Sequence, residues 1–493
     1  MRIVQIATEC APIAKVGGLA DVVYGLSRAL RKQGHHVEVL LPKYDCINYS
    51  ELTELKVHKR QIWSFENNHR YNNTIWSAKI HDLPLFLLET HHPLFYFTRS
   101  MIYGCPDDND RFLYFCRASM EYLLQSGEEI DIIHTHDWPT AAISILHKKM
   151  YKALNMKAKS TVLTIHNLEH QGRISPSNLT KIGLRGETFL NEDEMQDPLI
   201  AGNLNLMKGG IKYADAITTV SPTYKKEIET SEGGRGLDSF IKKYTGKITG
   251  ILNGLDEDFW NPSQDRYLIK RYPEKCTPLS KVFEAKKENR EYLTQHLLLE
   301  KKNTPLVASI GRLVMQKAPH LILHALHRTL ELGGQFILLG TPMDAESKAL
   351  VEKARKEITG NKNALLHLQY DEALSHQLFA AADLFIIPSL FEPCGLTQMI
   401  ALKYGAIPIA RQTGGLSDTV FDIEQDEIPF ARRNGFTFEF PDSQGVTWAL
   451  NRAFDYLQNR PKAREDLVRS ALHSNFSWEK AAGEYAKIYQ SIG

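Results

Sequence analysis

RIVQIATECAPIAKVGGLADVVYGLSRALRK, residues 2–32, decides the fold. It opens on a short apolar run at 3–7, passes through a loop holding Lys15, Gly17 and Gly18, and enters an apolar-periodic stretch at 19–32. A run that short and that apolar reads as a strand buried on both faces, and the stretch behind it as a helix. Strand, loop and helix in that order are the opening of a parallel α/β sheet.

Outward from this segment the alternation continues. Further strand-like runs stand at 37–41, 131–134, 161–165 and 216–220, with helical stretches such as 141–148 between them. The pattern stops at Ile251-Leu-Asn-Gly254 and gives way to a charged, Pro-punctuated stretch, 261–303. It restarts at 306–310, 336–339, 364–368, 384–387 and 407–410. Two α/β domains follow, 1–252 and 253–474. Behind them Trp478, Ala481, Ala482, Tyr485, Tyr489 and Ile492 recur at helical spacing, an amphipathic helix that needs a docking place. Gly17-Gly-Leu-Ala-Asp-Val-Val23 and Gly414-Gly-Leu-Ser-Asp-Thr-Val420 share five of seven residues, each where a loop turns into a helix. The repeat is either chance or two similar domains presenting similar loops.

Composition narrows the class. With 59 basic against 58 acidic side chains, the chain does not carry the cationic excess of a protein built to coat nucleic acid. Cys10, Cys46, Cys105, Cys116, Cys276 and Cys394 are scattered with no C-x-x-C pair, which reads as reduced thiols. No apolar run nears the ~18 residues of a membrane span, and the N-terminus does not read as a signal or transit segment. The expected address is the cytoplasm, without membrane partners.

Three loops carry chemistry. Lys15-Val-Gly-Gly-Leu19 joins a full charge to a helix start, where tandem glycines allow close backbone approach and free N–H groups attract an anion. It is not a dinucleotide fingerprint, because the third glycine of G-x-G-x-x-G is missing. Ser309-Ile-Gly-Arg-Leu-Val-Met-Gln-Lys317 repeats the geometry in the second domain, with Arg312 and Lys317 beyond a strand's carboxyl end. Solvated surface cations would explain that pair alone. Together with Lys15, three cations around a diphosphate is the better account. Phe391-Glu-Pro-Cys-Gly-Leu-Thr397 follows the run 384–387 and precedes a helix near 398–404. There Glu392 can accept hydrogen bonds from sugar hydroxyls, while the N–H groups of Cys394 and Gly395 face the same pocket.

Other strings are weaker. His134-Thr-His-Asp-Trp138 ends a strand with both histidines on one face; a zinc hydrolase is the alternative, but further clustered ligands are lacking. His166 stands at the tip of the run 161–165. Asp108-Asn-Asp110 and Asp256-Glu-Asp258 mimic a metal-holding D-x-D and read as solvated or hinge carboxylates in loops. Leu94-Phe-Tyr-Phe97, with Tyr103, is either a sugar-stacking cluster or a buried strand.

These residues together resemble one family. K-x-G-G-L-x-D-V, H-x-H-D-W at 134–138, T-I-H-N at 164–167, V-S-P-T-Y at 220–224, I-L-N-G-L-D before Trp260-Asn-Pro, G-R-L-x-x-Q-K at 311–317, E-P-C-G-L-T-Q at 392–398 and T-G-G-L-x-D-T-V at 413–420 look like the bacterial glycogen and starch synthases, in family order along the chain. The chain departs from the family's usual pattern in L-L-G-T-P-M-D after 336–339, at Gln369, and in Phe97-Thr-Arg99.

The resemblance implies the GT-B architecture, two Rossmann-like domains facing across a deep cleft, with the helix 475–493 returning to complete the first domain. It implies that Lys15, Arg312 and Lys317 neutralise a diphosphate near Gly17 and Gly18. Glu392 and the backbone of Cys394 and Gly395 would hold glucose hydroxyls. Asp137 and His166 would lie beside the anomeric carbon and the 6-OH, the backbone of Leu396 and Thr397 would seat phosphates, and Tyr370 would stack on the base. The implied reaction moves glucose from ADP-glucose to the non-reducing 4-OH of an α-glucan with retention, needing no metal and no cofactor. UDP-glucose as donor, or an idle glucan-binding protein of the same fold, are the alternatives; an oxidoreductase or epimerase would want the absent dinucleotide fingerprint. Cations drawn from both domains make domain closure an expected part of catalysis.

Overall fold

Buried parallel strands need apolar side chains on both faces, and the first run meets that need: β1 (Arg2–Ile6) is buried from Ile3 onward. A computed structural model describes residues 1–273 and 278–493, so Cys276 lies outside the described residues. The chain divides into two compact units, Met1–Gly254 with Ser477–Gly493, and Leu255–Phe476.

In the first unit β1 is joined by β2 (His36–Pro42), β3 (Thr53–Glu66), β4 (His69–Ile80), β5 (Leu83–Thr90), β6 (Ile130–His136) and β7 (Ala158–Ile165). A two-residue pair, β8 (Arg173–Ile174) and β9 (Leu204–Asn205), stands apart, and β10 (Ala216–Thr219) and β11 (Ile248–Gly250) finish the main sheet. Its order is β11-β10-β7-β6-β1-β2-β5-β4-β3. All neighbours pair in parallel except β5 with β4 and β4 with β3. Strand order turns back at β1, which lies between β6 and β2.

The helix Gly18–Lys32 lays Val22, Leu26, Ala29 and Leu30 against the final helix Trp478–Ile492, whose Trp478, Ala482, Tyr485 and Tyr489 are buried there. Two glycines make this possible. A Cβ at Gly25 would stand 2.0 Å from the Trp478 ring and one at Gly254 2.6 Å from it, so only glycine leaves room for the indole.

The second unit is one parallel sheet built from β12 (Leu306–Ile310), β13 (Gln335–Leu339), β14 (Ala364–His367), β15 (Leu384–Ile387), β16 (Ile407–Arg411) and β17 (Phe436–Phe438). Its order is β14-β13-β12-β15-β16-β17, which turns back between β12 and β15. Leu306, Val307, Phe336, Phe385 and Ile407 lie in its core.

Three local expectations are corrected. The aromatic string 94–97 is no strand: it is a turn that exposes Leu94 and Phe95 and buries Tyr96 and Phe97. Asp108 and Asp110 are half-buried and not in a loop; they sit in the first turn of the helix Asp108–Ser126. Asp108 accepts from the N–H groups of Gly104 and Cys105 and from Arg111, and Asp110 pairs with Lys181 at 2.8 Å. The charged stretch after residue 260 contains the helix Ser280–His296, whose apolar face is thin: Val282, Ala285 and Leu293. Its buried Lys286 donates to the carbonyl oxygens of Ala380 and Tyr404 at 3.1 and 3.2 Å, capping two helix ends.

Candidate active site

In open α/β sheets, loops at the carboxyl ends of the strands can part only where strand order reverses, and ligands enter there. Each unit places its candidate residues at such a point.

In the first unit the loop after β1 is pinned by a residue that motif reading passes over. Glu9 accepts the N–H of Val16 at 2.6 Å, the N–H of Gly17 at 2.9 Å and the Tyr103 hydroxyl at 2.8 Å. The backbone between Lys15 and Gly18 is thereby held against a buried carboxylate, and Gly17, extended at φ −147°, opens the next helix without a side-chain cap. Lys15 is half-exposed and pairs with Asp21 at 2.7 Å, within the first turn of that helix.

Asp137 and His166 come together at the ends of β6 and β7. Asp137 has left-handed backbone, φ +56°, a costly conformation for a residue other than glycine. Its carboxylate accepts the N–H of His166 at 2.7 Å and of Asn167 at 3.3 Å. Burial pushes Asp137 up to about 7, against the two N–H bonds that favour the charged form. Burial drives His166 down to about 3, so its ring is neutral at ordinary pH.

Behind them lies a buried polar layer. The rings of His134 and His136 stack 4.4 Å apart. His134 meets the Tyr489 hydroxyl at 2.8 Å and Thr164 at 2.6 Å; His136 meets Gln5 at 2.7 Å and His166 at 3.0 Å. The two strand histidines are thus engaged with oxygen and nitrogen partners of the fold. The grouping of possible metal ligands found among the described residues is elsewhere, at Cys105, Asp107 and Asp108, and Asp107 and Asp108 are already bound to Arg99 and Arg111. Gln5 was the available sequence signal for this layer, a buried amide within an otherwise apolar strand.

In the second unit a pocket opens at the carboxyl ends of β12 and β15, lined by Ser309, Gly311, Arg312, Lys317, Ser389 and Thr397 among others. Leu390 N–H donates to Gln316 O at 2.8 Å and the Gln316 amide donates to Phe391 O at 3.1 Å, which ties the 311–317 segment to the 390–392 loop. Lys317 is in direct contact with the buried carboxylate of Glu392, which also accepts from the Ser389 hydroxyl at 2.9 Å. Arg312 is exposed beside them.

The 394–397 loop is seated from below. Gly395 is left-handed at φ +76°, and the Gln398 amide donates to the carbonyl oxygens of Cys394 and Gly395 at 3.0 Å each. A Cβ at Gly415 would lie 2.1 Å from Cys394 O, so the second Gly-Gly-Leu string packs directly on this loop. Leu396 precedes the helix Thr397–Lys403. Tyr370 is 76% exposed, donates to Glu372 at 3.0 Å, and is not among the residues lining the pocket.

Comparison with known proteins gives the family of the chain. The family described as starch synthase catalytic domain matches residues 2–243, and glycosyl transferases group 1 matches residues 295–473. The chain is 42% identical to glycogen synthase of Protochlamydia amoebophila, over 100% of this chain and 99% of that one. It belongs to the glycogen and starch synthase family. As a member it is a hexosyltransferase with the GT-B fold of two Rossmann-like domains. The chain is 45% identical to probable starch synthase 4 of Arabidopsis thaliana, over 99% of its own length and 47% of that longer protein. The solved catalytic domain of Arabidopsis starch synthase IV, bound to ADP and acarbose, superposes with a TM-score of 0.95 at 45% identity, covering 100% of this chain and 99% of that one. Sucrose-phosphate synthase of Thermosynechococcus elongatus, at 18% identity and a TM-score of 0.60 over 100% of this chain and 98% of that one, shares the fold. Among the described residues no helix is long and apolar enough to cross a membrane.

Proposed function

We propose that this family member transfers glucose from ADP-glucose to the non-reducing 4-OH of an α-1,4-glucan with retention at the anomeric carbon. The single observation that carries the proposal is the contact between Lys317 and Glu392 beside Arg312, at the turning point of the second sheet. One cation there stands between a carboxylate fit to hold sugar hydroxyls and a place for a diphosphate.

A nucleoside diphosphate is a good leaving group, so its departure needs positive charge on the phosphate more than a proton donor. Arg312, Lys317 and, from the first unit, Lys15 supply that charge. Glu392 with the N–H groups of Cys394 and Gly395 holds the glucose hydroxyls, the backbone of Leu396 and Thr397 seats phosphate oxygens, and Gly17 and Gly18 bind the donor as well. Asp137 and His166 lie beside the anomeric carbon and the 6-OH, and Tyr370 stacks on the base. The bond from C1 to the phosphate oxygen breaks, the acceptor O4 bonds C1 on the same face, and the O4 proton passes to the departing phosphate. No metal or cofactor takes part. A glycosidase would instead flank the bond with two carboxylates. Free thiols at the described cysteines fit a cytoplasmic enzyme.

ADP rather than UDP as the leaving nucleotide is supported by the ADP in the 45% identical starch synthase IV structure. The test is a paired assay with glycogen as acceptor, measuring ADP released from ADP-glucose and UDP released from UDP-glucose. Faster turnover of ADP-glucose is expected; faster UDP-glucose turnover would reverse the donor assignment, and no turnover with either would sink the proposal.

A further inference from the structure

The buried layer behind Asp137 contains a one-way hydrogen-bond chain. Gln5, His136 and His134 are fully buried, and His166 is 9% exposed. The chain runs from Gln5 Oε1 to His136 Nε2 at 2.7 Å, and from His136 Nδ1 to His166 Nε2 at 3.0 Å. The other end of the Gln5 amide, Nε2, is buried with no hydrogen-bond partner among the described residues, while the Tyr489 phenol meets His134 at 2.8 Å.

A neutral imidazole carries one N–H and one lone pair, so each link fixes the next. A carboxamide oxygen can only accept. His136 therefore bears its proton on Nε2 and offers a lone pair at Nδ1. That lone pair must receive the Nε2 proton of His166, which leaves His166 Nδ1 bare. Burial keeps both rings neutral: His136 lies well below the ordinary histidine range and His166 falls to about 3. Among the described residues no hydrogen bond is formed by His166 Nδ1. Rotating the Gln5 amide by half a turn would reverse every link and make His166 Nδ1 a donor.

We propose that Gln5 and His136 are positioning residues that hold His166 as its Nε2–H tautomer, so that Nδ1 accepts a hydrogen bond from a hydroxyl of the transferred sugar. The sugar-facing half of this rests on the proposed function, which puts His166 beside the 6-OH. The tautomer itself does not. It follows from which atom of Gln5 faces His136. The sequence pattern behind it is a buried amide in β1 and an H-x-H at the end of β6, neighbouring strands that pair Gln5 with His134. A site that offers a lone pair discriminates for a donor: a sugar whose hydroxyl is absent leaves it unpaired.

Two measurements on the full chain decide it. The first is a two-bond nitrogen–proton correlation spectrum of protein labelled with ¹⁵N-histidine, with His166→Gln for assignment. A protonated Nε2 and a bare Nδ1 at His166 are expected; a protonated Nδ1 overturns the proposal, whichever nucleotide sugar the enzyme uses. The second compares ADP-glucose with its 6-deoxy analogue in wild type and in Gln5→Met, which keeps the volume and removes the acceptor. The preference for the 6-OH should shrink by about fivefold, the worth of one neutral hydrogen bond, and His166 should lose its single tautomer. A general loosening of the fold would slow both donors alike. Unchanged discrimination with an unchanged histidine spectrum assigns Gln5 to packing alone and overturns the relay. If Gln5→Met does not fold, the wild-type spectrum still decides.

Discussion

The loops after β1 and β6 in the first unit and those after β12 and β15 in the second occupy the same topological place and are built from opposite materials. Behind the first lies a buried, neutral layer in which Gln5, His134 and His136 are paired with one another or with hydroxyls, and its loop carries one half-exposed cation, Lys15. The second carries exposed or half-exposed charge, Arg312 and Lys317, over one buried carboxylate. A neutral network in a low-dielectric layer fixes direction, because every donor must find its acceptor. Cations at a pocket mouth supply field strength and tolerate water. On the proposed function the first edge mainly sets orientation and the second supplies most of the charge, with Lys15 adding one cation.

Even the shared string obeys this division. Gly17-Gly-Leu opens a helix of 15 residues whose start is held by Glu9, whereas Gly414-Gly-Leu opens one of 6 residues packed on the Cys394 carbonyl. The first copy presents backbone; the second supports a neighbouring loop.

The contrast can be broken at its strongest point. Glu392→Ala should lower kcat about a thousandfold while the protein stays folded, since on the proposed function it removes a carboxylate whose hydrogen bonds strengthen at the transition state, and it leaves Lys317 without its partner. Near-normal turnover, with an unchanged circular dichroism spectrum, would take Glu392 out of the site. Lys317→Ala should follow at about a hundredfold, with Lys317→Gln no better, because the charge is what acts. If either neutral change were mild, field strength would not be the business of this edge.

On the orienting edge the effects should be smaller. Glu9→Gln keeps an acceptor but weakens the hold on the Val16 and Gly17 N–H groups, and kcat/KM should fall about tenfold, near the worth of one charged hydrogen bond. A loss matching that of Glu392→Ala would erase the distinction between the two edges.

The smallest effect concerns acidity. Asp137 is raised to about 7, above the about 3.8–3.9 of an unfolded chain. The folded protein therefore holds this proton where the unfolded chain has lost it, and stability falls as pH rises from about 4 to about 7, then levels. Asp137→Asn removes that slope. Relative to wild type, its Tm should gain about 2–4 °C between pH 5 and pH 8. A constant Tm difference across that window would place the Asp137 pKa in the ordinary range.

What could be read from the sequence follows the same physics. Parallel strands buried on both faces write themselves as apolar runs, so β1, β2, β6, β7, β10 and β12 to β16 were visible. The cations and Glu392 were visible because they stand just past such runs. The strands β3 and β4 were not, since their antiparallel ribbon exposes long polar stretches such as Lys56 to Gln61. The helix Ser280–His296 hid behind its charge. The Gln5 chain stayed hidden for another reason: its partners lie far away along the sequence, His136 being 131 residues from Gln5.

The indole of Trp478, lodged over Gly25 and Gly254, gives synthesis an awkward timetable. A ribosome that has delivered the whole stretch Met1–Gly254 must translate the entire second unit before it releases the helix that covers Val22, Leu26 and Tyr24's neighbours on the first. The first unit begins before the second and is finished after it. Throughout that interval its helix Gly18–Lys32 shows the ribosome exit an apolar stripe with no cover, which is the kind of surface that chaperones hold.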